Sequence, residues 1–353
     1  MIVKNDCLFF KGDIPCNPNK EFGYQCEDCP AYKKIEKNIL IIKLGAIGDV
    51  IRTTPILRKL KKEYPNAHIT WLTYSPAILS KEWIDRILTV NIESIELIKQ
   101  IEFDWLINLD KDPLAISLTQ QIKSKRKSGF TIDDFGHAKP ISSEAENHKW
   151  ITGLFDDKSR ENKKHYLQEM FEILGYNFND EEYVLFADKE FRWDLDHTKK
   201  IIGLNTGCGG RWTSRLWPNE SWIDLAGKLI GQGLEVVLLG GEQENEKNQM
   251  LADKSGAKYF GNFHLQQFIS LVNECDVVVT AVTMAMHIAM GLKKKTIIFN
   301  NIFNSNEFYL YGRGEVIEPI PRCECYYSPI CLHDSMNNIK PERVFEITLK
   351  LLK

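Results

Sequence analysis

Asp49 is the carboxylate best placed for chemistry in this chain. It follows the apolar run Ile39-Leu-Ile-Ile-Lys-Leu44 and the turn glycines Gly45 and Gly48, and Val50, Ile51, Pro55, Ile56 and Leu60 form a rough apolar stripe after it. An apolar run of that length reads as a strand buried on both faces. Glycines lack a Cβ, so they permit a tight turn and close approach of a ligand. Asp49 therefore falls where a first strand meets a helix, at the carboxyl edge of a parallel sheet, and open α/β sheets bind ligands at that edge. Two roles fit the position: a helix N-cap, or a general base projecting into a cleft.

A second group suits phosphate. The stretch Thr206-Gly207-Cys-Gly-Gly-Arg-Trp-Thr-Ser-Arg215 is rich in glycine and hydroxyls and carries two arginines. Backbone N–H groups and a bidentate guanidinium can cradle a diphosphate there. A surface loop with solvated arginines is the other reading, although Trp212 and Trp217 would be unusual in one. Glu242 closes a later strand, where a carboxylate can accept both hydroxyls of a ribose or cap the next helix. Thr283 and His287 lie at the start of another helix, within reach of an anion at its N-terminus. The chain lacks the G-K-[ST] of a Walker A loop. It offers G-x-x-G rather than the dinucleotide fingerprint, with no acidic residue ending the second strand near Thr73.

Cysteines make up a third group. Cys7, Cys16, Cys26 and Cys29 stand among Gly12, Pro15, Pro18, Gly23 and Pro30, in a segment with too few apolar residues for a core. Four thiolates could hold a structural zinc in a tetrahedron. An iron–sulfur group is compatible with the same count. Free thiols in a flexible tail, or a disulfide pair, are the other readings. A tail group, Cys323, Cys325 and Cys331 with His333 nearby, could bind a second metal or help to close the first site.

These groups need a scaffold, and the pattern supplies one. Strands are expected at His68–Thr73, Ile87–Val90 and Trp105–Leu109, with a helix from Asp49 to about Tyr64 and another from Leu114 to Ile122. Strands alternating with helices mean βαβ units and a parallel sheet. The basic run Lys123–Lys127 is expected to be a solvated helix end, a site for an anionic acceptor being its functional reading. The polar stretch 130–160 is expected to be a long loop, with His137 and His148 on the surface. His165–Gly175 reads as a helix and 181–198 as a linker. A second alternating series then runs from Ile201: a helix from Pro218–Ser221 to about Gly231, a strand Leu234–Leu239, a helix Leu265–Glu274, a strand Asp276–Thr280, a helix Thr283–Gly291, a strand Lys295–Phe299 and a final helix Pro341–Leu352. The fold class is α/β, with three parts: a Cys-rich extension (1–38), a first Rossmann-like domain (39–185) and a second (186–353).

The composition agrees with that size. The chain has 353 residues, 43% of them hydrophobic and 26% charged, with a net charge of −3. These are the values of a globular protein, with no general pull toward nucleic acid or an anionic membrane. No signal peptide and no bilayer-length apolar run are found. The nine cysteines fit a reducing compartment or metal binding, so a cytoplasmic location is expected.

Taken together, the motifs resemble glycosyltransferase family 9, the heptosyltransferase family of lipopolysaccharide core assembly. The opening I-L-I-I-K-L-G-A-I-G-D-V-I-R-T-T-P is similar to the family's first strand and G-D-x-x-x-x-x-P loop. Arg215-Leu-Trp-Pro218 stands where the family has [KR]-x-W-P. Leu239-Gly-Gly-Glu242 and Met286-His-Ile-Ala289 resemble two further motifs, the latter the end of D-T-G-x-M-H-I-A.

The resemblance implies a GT-B architecture, two Rossmann-like domains facing across a cleft, the first for acceptor and the second for nucleotide sugar. It implies inverting transfer of a heptose or related sugar from an ADP-heptose-like donor to a cell-surface glycan or glycolipid, peripheral at the inner membrane. Asp49 would be the base and Arg215 the group that stabilises the leaving diphosphate. Thr206 and Gly207 would line the phosphate loop, Glu242 would hold the nucleoside, and Thr283 and His287 would touch the phosphates. No catalytic metal is expected. The tail cysteines match a habit of iron-bearing protein heptosyltransferases of the family, so a protein acceptor is an alternative, as is a catalytically silent sugar- or partner-binding subunit. One departure matters: Val282 stands where the family has an aspartate thought to contact the donor sugar, and a valine side chain cannot hydrogen-bond.

Overall fold

The structure, a computed structural model, describes residues 2–353. The chain forms two compact units, each built from several stretches of sequence. One comprises the residues up to Ala46, Thr53–Trp150 and Met170–Glu181; the other comprises Ile47–Arg52, Ile151–Glu169 and Glu182–Lys353.

The first unit begins with the Cys-rich head and its short helix α1 (Asn17–Phe22). Strand β1 (Lys37–Ile42) follows, with Ile39 to Ile42 wholly buried, as the unbroken apolar run requires. The single helix expected after it is two: α2 (Ile47–Thr53), most of which belongs to the second unit, and α3 (Pro55–Glu63). Pro55 has no N–H to continue the first helix, so the hydrogen-bond ladder breaks at Thr54, which keeps helical dihedrals (φ −59°, ψ −24°). Then come β2 (Ala67–Thr73), β3 (Arg86–Thr89), α4 (Ile92–Gln100), β4 (Phe103–Asn108), α5 (Pro113–Gln121), β5 (Ser124–Ile132) and β6 (Ala138–Pro140). The sheet order is β3-β2-β1-β4-β5-β6, parallel except for β6. Its first five strands have the doubly wound order.

Two expectations fail in this unit. The basic run is not a helix end but the start of β5, which pairs with β4. Lys123 precedes the strand and is exposed; successive strand residues point to opposite faces, and each of the other three cations finds a partner. Lys125 Nζ lies 2.8 Å from Asp104 Oδ1, Arg126 donates to Leu174 O and stacks on Trp105, and Lys127 donates to Thr119 O. The stretch 130–160 is not a long loop. It contains the rest of β5, β6, α6 (Glu144–Leu154) and α7 (Asp156–Glu161). Helix α6 starts with a capping box: Glu146 accepts from the N–H of Ser143 at 2.8 Å, and its own N–H donates to Ser143 Oγ at 3.1 Å. Buried Glu146 also accepts from Gly129 N, which ties the helix to β5.

Helix α8 (Tyr166–Ile173) precedes a stretch without helix or strand that runs to Ile201. The second unit is a sheet of β7 (Ile201–Asn205), β8 (Glu235–Leu239), β9 (Val277–Ala281), β10 (Lys295–Phe299) and β11 (Gly314–Ile317). Its order is β11-β10-β9-β7-β8, parallel in every pair. This is the other common doubly wound order, with its switch point between β7 and β9. Its helices are α9 (Asn219–Gly231), α10 (Asn245–Ser255), α11 (Leu265–Glu274), α12 (Met284–Gly291) and α13 (Pro341–Leu352). Each unit is α/β with a mainly parallel sheet, as the alternating pattern predicted. Among the described residues, no helix is long and apolar enough to cross a membrane.

The second unit's core includes Trp217, Trp222 and Phe299, with the two indoles edge to face at 4.8 Å. Trp217 also donates from Nε1 to Ile339 O at 2.9 Å. The W-P of Arg215-Leu-Trp-Pro is thus an anchor: Trp217 is packed into the core, and Pro218 leads into α9. Trp217→Ala should lower the unfolding free energy by about 3–5 kcal/mol in urea titration. Trp217→Phe keeps an aromatic ring, loses the hydrogen bond and should cost less.

Candidate functional site

At the switch point of the second unit, β7 delivers Asn205 and β9 delivers Thr280. Asn205 is buried, and its Nδ2 donates to Gly207 O and Thr280 Oγ1, both at 3.0 Å, with Thr283 Oγ1 at 3.4 Å. One amide therefore fixes the glycine-rich loop to the start of α12. Thr206 donates to Asn248 Oδ1 at 2.5 Å, and its carbonyl accepts from Lys247 Nζ at 2.9 Å. Gly207 packs under Glu244: an added Cβ would lie 2.2 Å from its carboxyl carbon and would push that flexible side chain aside.

Thr283 is the N-cap residue of α12, but its side chain does not cap the helix; its hydroxyl lies 3.1 Å from that of Thr280. The first-turn N–H groups of α12 are thus left without a side-chain cap, an arrangement that favours an anion. Arg215 reaches the same place. Its Nη1 donates to Val282 O, adjacent to the cap residue, and its Nη2 to Cys208 O at 2.9 Å. The guanidinium lies within 5.6–5.7 Å of the rings of Trp212 and Phe303. Arg215 is 9% exposed, its buried Nε has no partner, and no carboxylate pairs with it among the described residues. Burial pushes its pKa below the usual value. A buried cation without a countercharge is costly, and an arriving diphosphate would relieve that cost.

Asp49 is not an N-cap. It lies inside the first turn of α2, and its Oδ1 meets Arg52 Nη2 at 2.7 Å. Arg52 in turn stacks on Tyr166, 3.6 Å from the ring centroid. The spacing Asp49-x-x-Arg52 is the helical i, i+3 pairing, a signal that sequence reasoning did not use. The segment 47–52 fits tightly against α12: a Cβ on Gly48 would lie 2.7 Å from His287 Cδ2 and 3.5 Å from Met284 Cα. His287 is buried, with no hydrogen-bond partner at Nδ1. Burial, reinforced by the Arg52 charge and opposed by Asp49, lowers its pKa to about 3, so the imidazole is neutral at ordinary pH. A small pocket opens beside it, lined in part by Arg52, Tyr166, Glu307 and Tyr309.

The structure thus gathers Asp49, Thr206, Gly207, Arg215, Thr283 and His287 about α12, and adds Arg52, Lys247 and Asn248. Glu242 is not gathered with them. It is exposed in a turn after β8, and its carboxylate makes no hydrogen bond among the described residues. Neighbouring Glu244 accepts from Gly241 N and covers Gly207.

In the tail, the sulfurs of Cys323, Cys325 and Cys331 lie within 4.8 Å of one another, a donor set that could hold a metal. Burial pushes the Cys331 thiol up, but hydrogen bonds with Ser335, His333 and Cys323 together pull it toward thiolate, the form that binds metal. The same loop reaches the glycine-rich loop. Ser214 donates from N to Pro329 O at 3.0 Å and from Oγ to Ser328 O at 2.8 Å. The head cysteines Cys7, Cys16, Cys26 and Cys29 line one pocket of their own.

A family model for glycosyltransferase family 9 (heptosyltransferase) matches residues 96–302. The lipopolysaccharide core heptosyltransferase OpsX of Haemophilus influenzae is 20% identical over 289 residues, 74% of this chain and 78% of that one. Among solved structures, a family 9 glycosyltransferase from Veillonella parvula superposes with a TM-score of 0.70 at 19% identity, covering 90% of this chain and 97% of that one. E. coli heptosyltransferase WaaC with ADP gives 0.65 at 14%, covering 89% and 99%. These likenesses bear out the expected GT-B fold class.

Two outcomes follow from the packing around His287. Between about pH 6.5 and about 3, the unfolded chain takes up a proton that the folded chain refuses, so acid destabilises the fold. His287→Asn should therefore lose about 2 kcal/mol less than wild type between pH 7 and pH 5, compared by urea midpoints. Equal losses would mean that the imidazole is protonated in the fold. Gly48→Ala must displace His287 or the helix and should cost about 1–3 kcal/mol in the same assay.

Proposed function

Because the chain belongs to glycosyltransferase family 9 (heptosyltransferase) and is a glycosyltransferase, we propose that it moves a heptose or related sugar from an ADP-heptose-like donor to a glycan or glycolipid acceptor, with inversion. The observation that carries this reading is the buried, carboxylate-free Arg215 beside the uncapped start of α12. That pair is a receptor for a diphosphate. The relative crystallised with ADP supports the nucleotide class.

In the proposed reaction the diphosphate lies against the first turn of α12, with Arg215 and the neutral imidazole of His287 as donors. Thr206, Gly207 and Thr283 line the same loop, and Lys247 adds a cation. Glu242, exposed after β8, turns toward the ribose when nucleoside is present. Asp49, oriented by Arg52, takes the proton from the acceptor hydroxyl. The acceptor oxygen bonds to the anomeric carbon as the bond to the diphosphate breaks, and a single displacement inverts that centre. Fixed donors receive the leaving charge, so the chemistry needs no metal. A metal on Cys323, Cys325 and Cys331, zinc or iron, would be structural. Residues 39–185 serve the acceptor and 186–353 the donor. The proposed setting is the cytoplasm, at the inner face of the membrane where the acceptor is lipid-linked.

Donor binding and turnover test this. Calorimetry should show ADP and an ADP-sugar binding to wild type and binding roughly 10–100-fold more weakly to Arg215→Ala, the loss of a charge-assisted pair. Asp49→Asn should keep donor affinity and lower kcat by about 10²–10⁴. Transfer to a polypeptide but not to a core glycan would move the acceptor class to protein. Donor bound and never turned over would leave a silent subunit, and no nucleotide bound would sink the proposal.

A further inference from the structure

The head poses a problem of stability. In residues 2–38 only Pro18 is buried, and the buried apolar residues of the chain begin at Ile39. Ile2, Val3, Ile14 and Phe22 are each more than half exposed. A segment without a core needs a staple. Yet its backbone has a definite course. Cys7 bridges antiparallel to Lys34, Leu8 N donates to Lys33 O at 2.8 Å, and Ile35 N donates to Asp6 O at 2.8 Å. Asp6 also accepts from the Tyr32 hydroxyl at 3.0 Å.

All four head cysteines, brought from the flanks of α1 and from the bridge, line one pocket. Aromatic side chains, Phe9, Phe10, Tyr24 and Tyr32, form much of the rest of the wall, and Lys4 is the cation among its lining residues. The Lys4 ammonium lies 4.6 Å over the Tyr32 ring. The spacing of the sulfurs separates two kinds of metal. A single tetrahedral zinc at a Zn–S distance of about 2.3 Å holds its thiolates only about 4 Å apart. Among the described residues, the trio gathered within 4.8 Å is the tail group, not any three of the head thiols. A cluster of several irons spreads its thiolates, because they bind different irons. An apolar, aromatic wall with one cation suits an anionic cluster shielded from water.

We propose that the head binds an iron–sulfur cluster through Cys7, Cys16, Cys26 and Cys29, and that this cluster takes the place of a hydrophobic core. The ligand is a group of iron and inorganic sulfide, and sulfide separates it from a mononuclear zinc or iron site.

The test uses the full chain, purified without oxygen, with iron, zinc and acid-labile sulfide measured per chain. Wild type should contain sulfide equal to iron at the head and the broad visible absorption of sulfide-to-iron charge transfer. Cys26→Ser/Cys29→Ser should lose the sulfide and the absorption, and the tail variant Cys323→Ser/Cys331→Ser should keep both. Should the head variant fail to fold, sulfide in wild type retained by the tail variant still assigns the cluster to the head. Zinc without sulfide, lost with the head variant, overturns the proposal. So does sulfide lost only with the tail variant, or a head holding no metal with its thiols free or paired as disulfides.

Discussion

A cation with no countercharge organises the second unit. Arg215 is held by two backbone carbonyls and flanked by two aromatic rings, with no carboxylate to neutralise it. A protein that buried such a group for stability alone would do better with an apolar side chain of the same volume. The surrounding features make sense once an anion is allowed for. Thr283 leaves α12 uncapped, Gly207 keeps the loop low, and Trp217 roots the loop in the core two residues after the arginine. Stability here is given up locally, as the proposed diphosphate site would require.

The placement of Asp49 depends on a second constraint, the contact of Gly48 with His287. Residues 47–52 come from the first half of the chain, yet they group with the second unit. The contact has no room for a methyl group on Gly48. It also accounts for the neutral histidine, since the same packing that admits Gly48 keeps water from the ring. Asp49, Arg52 and the imidazole of His287 thus form one packed group.

Much of this could be read from residue order. The run 39–42, the helices 265–274 and 341–352 and the strand 295–299 follow from periodicity alone, because their apolar residues face a core on one side or on both. The motif residues of the glycine-rich loop and of α12 came from recognisable spacing. Failures occurred where a long-range partner decides. The basic run is a strand because β4 supplies a neighbour and Asp104, Trp105 and Thr119 supply partners, none of which local charge density reveals. The stretch 130–160 looked structureless because its helix α6 is polar, although Ser143-x-x-Glu146 was a local start signal. Lys247 and Asn248 were not foreseen, since their roles arise only when α10 is folded against β7's loop.

The tail cysteine loop is joined to the glycine-rich loop chiefly by Ser214, through two hydrogen bonds to residues 328 and 329, with Thr213 Oγ1 3.5 Å from Pro329 O beside it. Asn301 braces the same point, donating to Ser214 O at 2.7 Å and to Ser335 Oγ at 3.3 Å, and Ser335 in turn touches Cys331. The residue after Ser214 is the arginine. The loop that carries the thiols is therefore the backrest of the cation. A change in the shape of that loop would reach the guanidinium through Thr213, Ser214 and Asn301.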